Sequence, residues 1–129
     1  MSDISFAALG VSADVVRALA ARGIDTPFHV QTRTIPEAMR GSDVLVKSPT
    51  GSGKTLAFAI PIVENLDRGA KRPSALVLVP TRELAVQVTD DLQVLSPTRD
   101  LKVASVYGGV PLRAQEIPEV TSQGTLDER

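Results

Sequence analysis

The chain lacks cysteine and tryptophan and has a single histidine among its 129 residues. Without cysteine it can form neither a disulfide framework nor a thiolate metal site. Aromatic residues make up only 3% of the sequence, whereas hydrophobic residues as a whole make up 43%. A globular core therefore has to be built from valine, leucine, isoleucine and alanine.

Positive and negative residues are also nearly balanced. Lysine and arginine number 14 and aspartate and glutamate 15, for a net charge of −1. This excludes a nucleic-acid binder that relies on bulk positive charge, but not one that grips phosphates with backbone N–H groups and a few arginines. No apolar run has the length of a membrane span, and the N-terminal residues do not resemble a signal peptide. We expect a soluble, cytoplasmic protein with room for one small domain.

The most specific pattern present is SPTGSGKT at residues 48–55. It follows the apolar run 44–46 and precedes a helix-like run over 56–66, which is the strand, loop and helix order of a phosphate-binding P-loop. Glycines in such a loop let the backbone approach a phosphate closely, and the free N–H groups of the next helix face that anion. The alternative is a plain glycine-serine turn between two elements.

A P-loop predicts a nucleotide site with defined roles. Lys54 is expected to reach the β- and γ-phosphates, and Thr55 to offer its hydroxyl to Mg²⁺. These two are the candidate catalytic residues, and Thr55 is the candidate metal ligand. The predicted phosphate-binding residues are Thr50, Gly51, Ser52, Gly53, Lys54 and Thr55. Ser48 departs mildly from the usual first position of the motif.

Apolar spacing predicts several helices. One runs from Ala13 to about Arg22, with Ser12 as its cap and Gly23 beyond its end. A second is expected to start at Pro27 and to reach Gln31 and then Thr34 before Pro36 perturbs it. The run over 56–66 is expected to bend at Pro61 rather than break, and a further helix is predicted over 81–95.

Apolar runs at 43–47, 74–79 and 101–107 read as buried strands. Strands that alternate with helices imply an α/β fold with a parallel sheet flanked by helices. From 111 to 129 there is no sustained periodicity, so this part is predicted to be a loop or a disordered tail.

Four motifs in order resemble those of the DEAD-box RNA helicases. GIDTPFHVQ at 23–31 is similar to the Q motif, with Phe6 upstream at the expected distance, and 48–55 is similar to motif I. PTRELA at 80–85 matches motif Ia, and YGG at 107–109 resembles the GG motif. The resemblance covers roughly 6–115 and identifies the chain as the start of the first RecA-like lobe of such an ATPase, a truncated P-loop NTPase domain.

The resemblance implies roles for the Q-motif residues. Gln31 would pair with the adenine edge, since a glutamine amide offers the matching donor and acceptor, so ATP would be preferred over GTP. Ile24 would pack on the base, and Phe6 would brace the motif. The alternatives are a solvated helix residue for Gln31 and ordinary core packing for Phe6 and Ile24.

The resemblance also implies sequence-independent contacts with the RNA backbone from Thr81, Arg82, Gly108 and Gly109. Equally, Thr81 can cap its helix and Arg82 can be a surface charge, and both readings can hold together. His29 is expected on a helix surface, and the adjacent pair Asp90 and Asp91 on a solvated face.

Residues 1–115 are therefore predicted to be the N-terminal portion of the ATP-binding lobe, and 116–129 a non-matching, disordered tail. The Asp-Glu-Ala-Asp and Ser-Ala-Thr segments of the family and its second lobe do not occur in these residues. We expect the chain alone to bind ATP and Mg²⁺ without efficient hydrolysis. An unrelated P-loop ATPase or kinase, and a non-catalytic interaction fragment, are the alternatives.

Overall fold

The computed structural model describes residues 4–49, 53–66, 75–99 and 101–106. The chain divides into two compact units, Met1–Asn65 and Leu66–Arg129. The described residues form α1 (Ala13–Ala20), α2 (His29–Met39), α3 (Lys54–Asn65) and α4 (Arg82–Leu95), with 3-10 turns at Ala7–Leu9 and Ser96–Arg99. Within these ranges, no helix combines the length and the apolar character needed to cross a membrane.

Helix α1 forms as its apolar spacing predicts. Val15 and Leu19, one turn apart, are both fully buried. The helix ends at Ala20, slightly before the predicted end. Gly23 follows with φ of 79°, and its N–H donates to the carbonyl of Ala20 at 2.9 Å. The left-handed glycine stops the helix, as its place in the sequence predicts.

The start of α1 is held by a side chain from the end of α3. Ser12 is the N-cap, but its hydroxyl makes no capping bond to the helix. The carboxylate of Glu64 accepts the Ser12 N–H at 2.7 Å and lies 2.8 Å from the Ser12 hydroxyl. That hydroxyl also lies 2.7 Å from Asp14 Oδ1, so its single proton serves one carboxylate at a time. Glu64 thereby fastens α1 to α3.

Two sequence expectations for α2 were wrong. The helix begins at His29, not Pro27, because Phe28 is extended (φ −76°, ψ 163°) and acts as the N-cap. It then continues through Pro36 to Met39. An interior proline costs a helix roughly 3 kcal/mol. The loss is offset here because α2 packs against α3 and buries Ile35 completely.

Helix α3 continues through Pro61, so the prediction that this proline does not break the helix is confirmed. The residue before Pro61, Ile60, is fully buried. Helix α4 forms as predicted, with Thr81 as its N-cap. Its buried face carries Val88, Leu92 and Leu95, at the spacing of one to two helical turns.

The three segments predicted as strands are non-helical, and the structure assigns no strand to the described residues 43–47, 75–79 and 101–106. Leu45 is 98% exposed and Leu78 is 83% exposed. Strand formation depends on pairing with segments distant in sequence, so an apolar run is a weaker guide to a strand than to a helix. The parallel sheet stays a prediction, and the expected tail over 111–129 lies outside the described residues.

Candidate nucleotide-binding site

The start of α3 follows a glycine in the left-handed conformation. Gly53 adopts φ of +85°, and Lys54 is the first residue of the helix. The Gly53 carbonyl accepts the Ala57 N–H at 3.2 Å, the first bond of the helical ladder. Lys54 is exposed and Thr55 is half-buried. The remaining predicted phosphate contacts, Thr50, Gly51 and Ser52, lie outside the described residues.

This helix start can attract an anion. The N–H groups of the first turn have no acceptor within the helix, and the aligned peptide dipoles place partial positive charge at this end. The Lys54 ammonium adds a full charge at the same place. With a flexible stem it can follow a phosphate as a point charge.

Gln31 links the start of α2 to the start of α3. Its Oε1 accepts the Phe28 N–H at 2.9 Å, and its Nε2 donates to the Gly53 carbonyl at 3.0 Å. The side chain is only 3% exposed. One buried amide thus fixes the Q-motif segment against the residue that opens α3.

Sequence reasoning assigned Gln31 to adenine and missed this bridge. A signal for half of it was present, because Phe28 and Gln31 have the N-cap and N3 spacing at which a glutamine side chain returns to the cap N–H. In this conformation both polar atoms of the amide already have partners in the chain. One proton and one lone pair remain for a ligand. The adenine role of Gln31 stays a prediction.

Gly53 is enclosed by two side chains as well as held in a left-handed conformation. A Cβ added there would overlap Gln31 Nε2 and would lie 2.9 Å from Phe28 Cδ2. Only glycine fits, for reasons of space and of backbone angle. The Phe28 ring is nonetheless 54% exposed, so one part borders the start of α3 and the rest meets solvent.

A groove of about 690 Å³ lies beside this junction. It is lined by Phe28, by four residues from the first half of α2 and by the segment 44–49. The four α2 residues are His29, Val30, Arg33 and Thr34, so Gln31 does not line the groove. The volume falls within the range of small-molecule sites.

Phe6 and Ile24, the other two residues predicted to contact the nucleotide, do not line this groove. Phe6 is 1% exposed, and its carbonyl accepts the Leu9 N–H at 3.0 Å and the Val11 N–H at 3.2 Å. This burial supports core packing for Phe6. Ile24 is half-buried in the turn after α1. Direct contact of either residue with a nucleotide stays a prediction.

Mg²⁺ favours oxygen ligands and is often held by one or two carboxylates together with substrate phosphates. Over the part of the chain that the structure describes, no three side chains of the histidine, cysteine, aspartate and glutamate types converge on a metal site. The Thr55 hydroxyl on its own fits a metal that arrives with the phosphates.

His29 and Asp90 are exposed, as predicted, whereas Asp91 is half-buried.

The predicted RNA contacts on α4 occupy a helix start. The Thr81 hydroxyl accepts the Leu84 N–H at 3.1 Å, which confirms the capping alternative. Thr81 and Arg82 are both exposed. A capping hydroxyl keeps a second lone pair and its own proton, so the cap leaves the RNA prediction possible. Gly108 and Gly109 lie outside the described residues.

Solved structures of other proteins resemble the fold of this chain. A DEAD box protein from the hyperthermophile Methanococcus jannaschii is 35% identical, with a TM-score of 0.79 over 86% of this chain and 31% of that chain. The RNA helicase Prp28 from Chaetomium thermophilum bound to ADP is 31% identical, with a TM-score of 0.74 over 83% of this chain and 27% of that one. Such neighbours support a partial RecA-like fold.

The DEAD/DEAH box helicase family model matches residues 28–123. The predicted domain boundary at residue 115 lies inside this range and outside the described residues, so it stays a prediction. The ATP-dependent RNA helicase DeaD of Escherichia coli (strain K12) is 44% identical over 117 residues, which are 87% of this chain and 19% of that protein. The chain thus spans about a fifth of that relative's length. It belongs to the DEAD/DEAH box helicase family.

Proposed function

We propose that this chain is the N-terminal portion of the ATP-binding lobe of a cytoplasmic ATP-dependent RNA helicase. The observation that carries the proposal is the bond from Gln31 Nε2 to the Gly53 carbonyl at 3.0 Å. It supports the proposal because the amide predicted to read adenine contacts the residue that precedes the helix proposed to bind phosphate. A plain glycine-serine turn would not need a buried glutamine to hold it.

In the proposed site the backbone N–H groups of residues 51–55 surround the phosphates, and Lys54 neutralises part of their charge. Thr55 contributes its hydroxyl to the Mg²⁺ that accompanies the nucleotide. Gln31 pairs with adenine through its remaining proton and lone pair, which requires the buried amide to become accessible. ATP is therefore preferred over GTP.

RNA is the proposed second ligand. Thr81 and Arg82 at the exposed start of α4, with Gly108 and Gly109, hold the sugar-phosphate chain without reading its sequence. The longer relatives that this chain matches include the ATP-dependent RNA helicases DeaD and CshA. That supports RNA as the ligand and remodelling of RNA or RNA–protein complexes as the whole protein's activity.

Hydrolysis needs one carboxylate to order Mg²⁺ and another group to orient the attacking water. Glu83 and Asp90 belong to α4, a different helix from the one that begins with Lys54. No residue of this chain is assigned to either task. Acting alone, the 129-residue chain therefore binds nucleotide without efficient turnover.

Thermal unfolding with and without ATP and Mg²⁺ tests the proposal. Ligand at a hundred times its Kd stabilises a protein by about 2.7 kcal/mol, which raises Tm on the order of 10 °C for a domain this small. Lys54→Ala should remove most of this shift. Equal stabilisation by GTP would favour an unrelated P-loop ATPase, whereas no stabilisation by any nucleotide would favour a non-catalytic fragment.

A further inference from the structure

We propose that Phe28 is a base-contacting residue, and that its half-exposed ring is the apolar wall on which the purine of the bound nucleotide stacks. This inference rests on the proposed function and deepens it. It assigns the base contact to Phe28 rather than to Ile24, the residue that the Q-motif resemblance implies.

The exposure of the ring is the first observation. The chain has only three phenylalanines, and Phe6 is fully buried in the core at 1% exposure. Phe28 instead leaves 54% of its surface in solvent, at a helix N-cap where its side chain makes no capping bond. An aromatic residue at a cap gives the helix nothing that serine or threonine would not supply better. The exposed part of the ring is therefore available to a ligand.

The location of the ring is the second observation. Phe28 Cδ2 lies 2.9 Å from the position a Cβ would take on Gly53, the last residue before α3. The Phe28 N–H is bound by Gln31, whose amide reaches the same glycine. A base that pairs with this amide while its phosphates lie at the start of α3 would pass the Phe28 ring.

The groove is the third observation. Phe28 lines one end of its α2 wall, and Ser48 and Pro49 line the part that leads into the loop. A base and ribose extending from phosphates at the start of α3 would have this groove as the neighbouring space. Ile24 is not among the lining residues and is half-buried in the preceding turn. Of the two side chains, the aromatic Phe28 is the more exposed and the one that borders the groove.

Stacking on an aromatic ring is worth about 1–3 kcal/mol per base and tolerates different bases, because every base has a π-face. At about 1.4 kcal/mol per tenfold change, this corresponds to roughly fivefold to over a hundredfold in affinity. Phe28→Ala should therefore weaken ATP about tenfold or more. Inorganic triphosphate, which has no base, should keep its affinity.

Titration calorimetry on the full chain with Mg²⁺ tests this, with ATP and inorganic triphosphate as the two probes. Phe28→Ala is compared with Phe28→Tyr, which restores a ring, with Ile24→Ala, and with Leu84→Ala as a matched loss of a partly exposed apolar side chain on α4. We expect Phe28→Ala to lose ATP affinity selectively, Phe28→Tyr to recover most of it, and Ile24→Ala to lose less than Phe28→Ala.

Several results would overturn the inference. Unchanged ATP affinity in Phe28→Ala would refute it, as would an equal loss for ATP and triphosphate, since that loss would report damage to the loop. A larger effect of Ile24→Ala would return the base contact to Ile24. If the unaltered chain binds neither probe, the proposed function itself fails, which is distinguishable because no variant is needed to see it.

Discussion

Two helix starts in this chain are capped in opposite ways. At α4 the Thr81 hydroxyl accepts the N–H of Leu84, three residues further along. At α2 the N-cap is Phe28, whose side chain makes no cap bond, and Gln31 supplies the acceptor and then continues to Gly53, 22 residues away. The first cap is local and stabilises one helix. The second joins two helices, so changes there should affect both the fold and the ligand site.

Replacement of Gly53 should have the largest effect at the long-range cap. Gly53→Ala places a methyl group on Gln31 Nε2 and close to Phe28 Cδ2, and it also puts alanine at φ of +85°. Left-handed backbone alone disfavours alanine by about 1–2 kcal/mol, and the overlap adds to it, for a total of about 3 kcal/mol or more. Urea denaturation measures the loss.

Gly41→Ala is the matched control, because Gly41 has φ of +88° but nothing within 4 Å of its Cβ position. It should lose only the backbone contribution of about 1–2 kcal/mol. Equal losses for the two glycines would mean that the enclosure by Gln31 and Phe28 has no energetic effect.

Loss of the Gln31 amide should cause the second largest loss of stability. Gln31→Ala removes two hydrogen bonds from a buried site and leaves a small cavity, so we expect a loss of about 2–3 kcal/mol. In the double variant with Gly53→Ala the losses should be less than additive, because the alanine at 53 no longer meets an amide. Strict additivity would contradict the contact between the two residues.

Gln31→Glu separates the two halves of the bridge. The carboxylate can still accept the Phe28 N–H but cannot donate to the Gly53 carbonyl. We expect α2 to keep its helicity by circular dichroism while ATP-dependent stabilisation falls. A variant that loses helicity but retains ATP binding would reverse this assignment.

The Thr81 cap of α4 should contribute less to the free energy of unfolding than the Gln31 bridge does. Thr81→Ala removes the acceptor for the Leu84 N–H and should cost about 1 kcal/mol, whereas Thr81→Ser should be nearly neutral. The change is expected to leave ATP binding alone. Loss of nucleotide binding in Thr81→Ala would show that the two helix starts are not independent in function.

The smallest effect is expected at the ion pair of Arg40 with Glu37, whose atoms lie 2.7 Å apart near the end of α2. The side chains are 62% and 52% exposed, so water and salt screen the interaction. Glu37→Gln should change the free energy of unfolding by no more than a few tenths of a kcal/mol. A loss as large as that of Thr81→Ala would contradict the expectation that this exposed ion pair contributes little to stability.

Features that depend on local interactions were predictable from the sequence, whereas features that depend on contacts between distant segments were not. Helices α1, α3 and α4 were predictable because their signals are local: apolar spacing, the cap at Thr81 and the glycine at 23. The start of α2 differs from the prediction because Phe28 is extended at the N-cap, which makes His29 rather than Pro27 the first helical residue. Its continuation through Pro36 was missed because packing against α3 is not visible in a local pattern.

The candidate site also has one part that follows from a local motif and one part that depends on long-range contacts. The loop-to-helix geometry at Gly53 and Lys54 was readable from the motif, since glycine and lysine at those places have a direct physical reason. The bond between Gln31 and Gly53 and the position of the Phe28 ring depend on how two helices meet. Strand pairing is non-local in the same sense, and the sheet stays a prediction.

The measurement that tests the central claim most directly is an NMR titration of the isotope-labelled chain with ATP and Mg²⁺. The account predicts the largest shifts at the backbone amides of Gly53, Lys54 and Thr55 and at the side-chain amide of Gln31, with none of these in Lys54→Ala. Shifts that spare the start of α3 and Gln31, or no response to nucleotide at all, would contradict it.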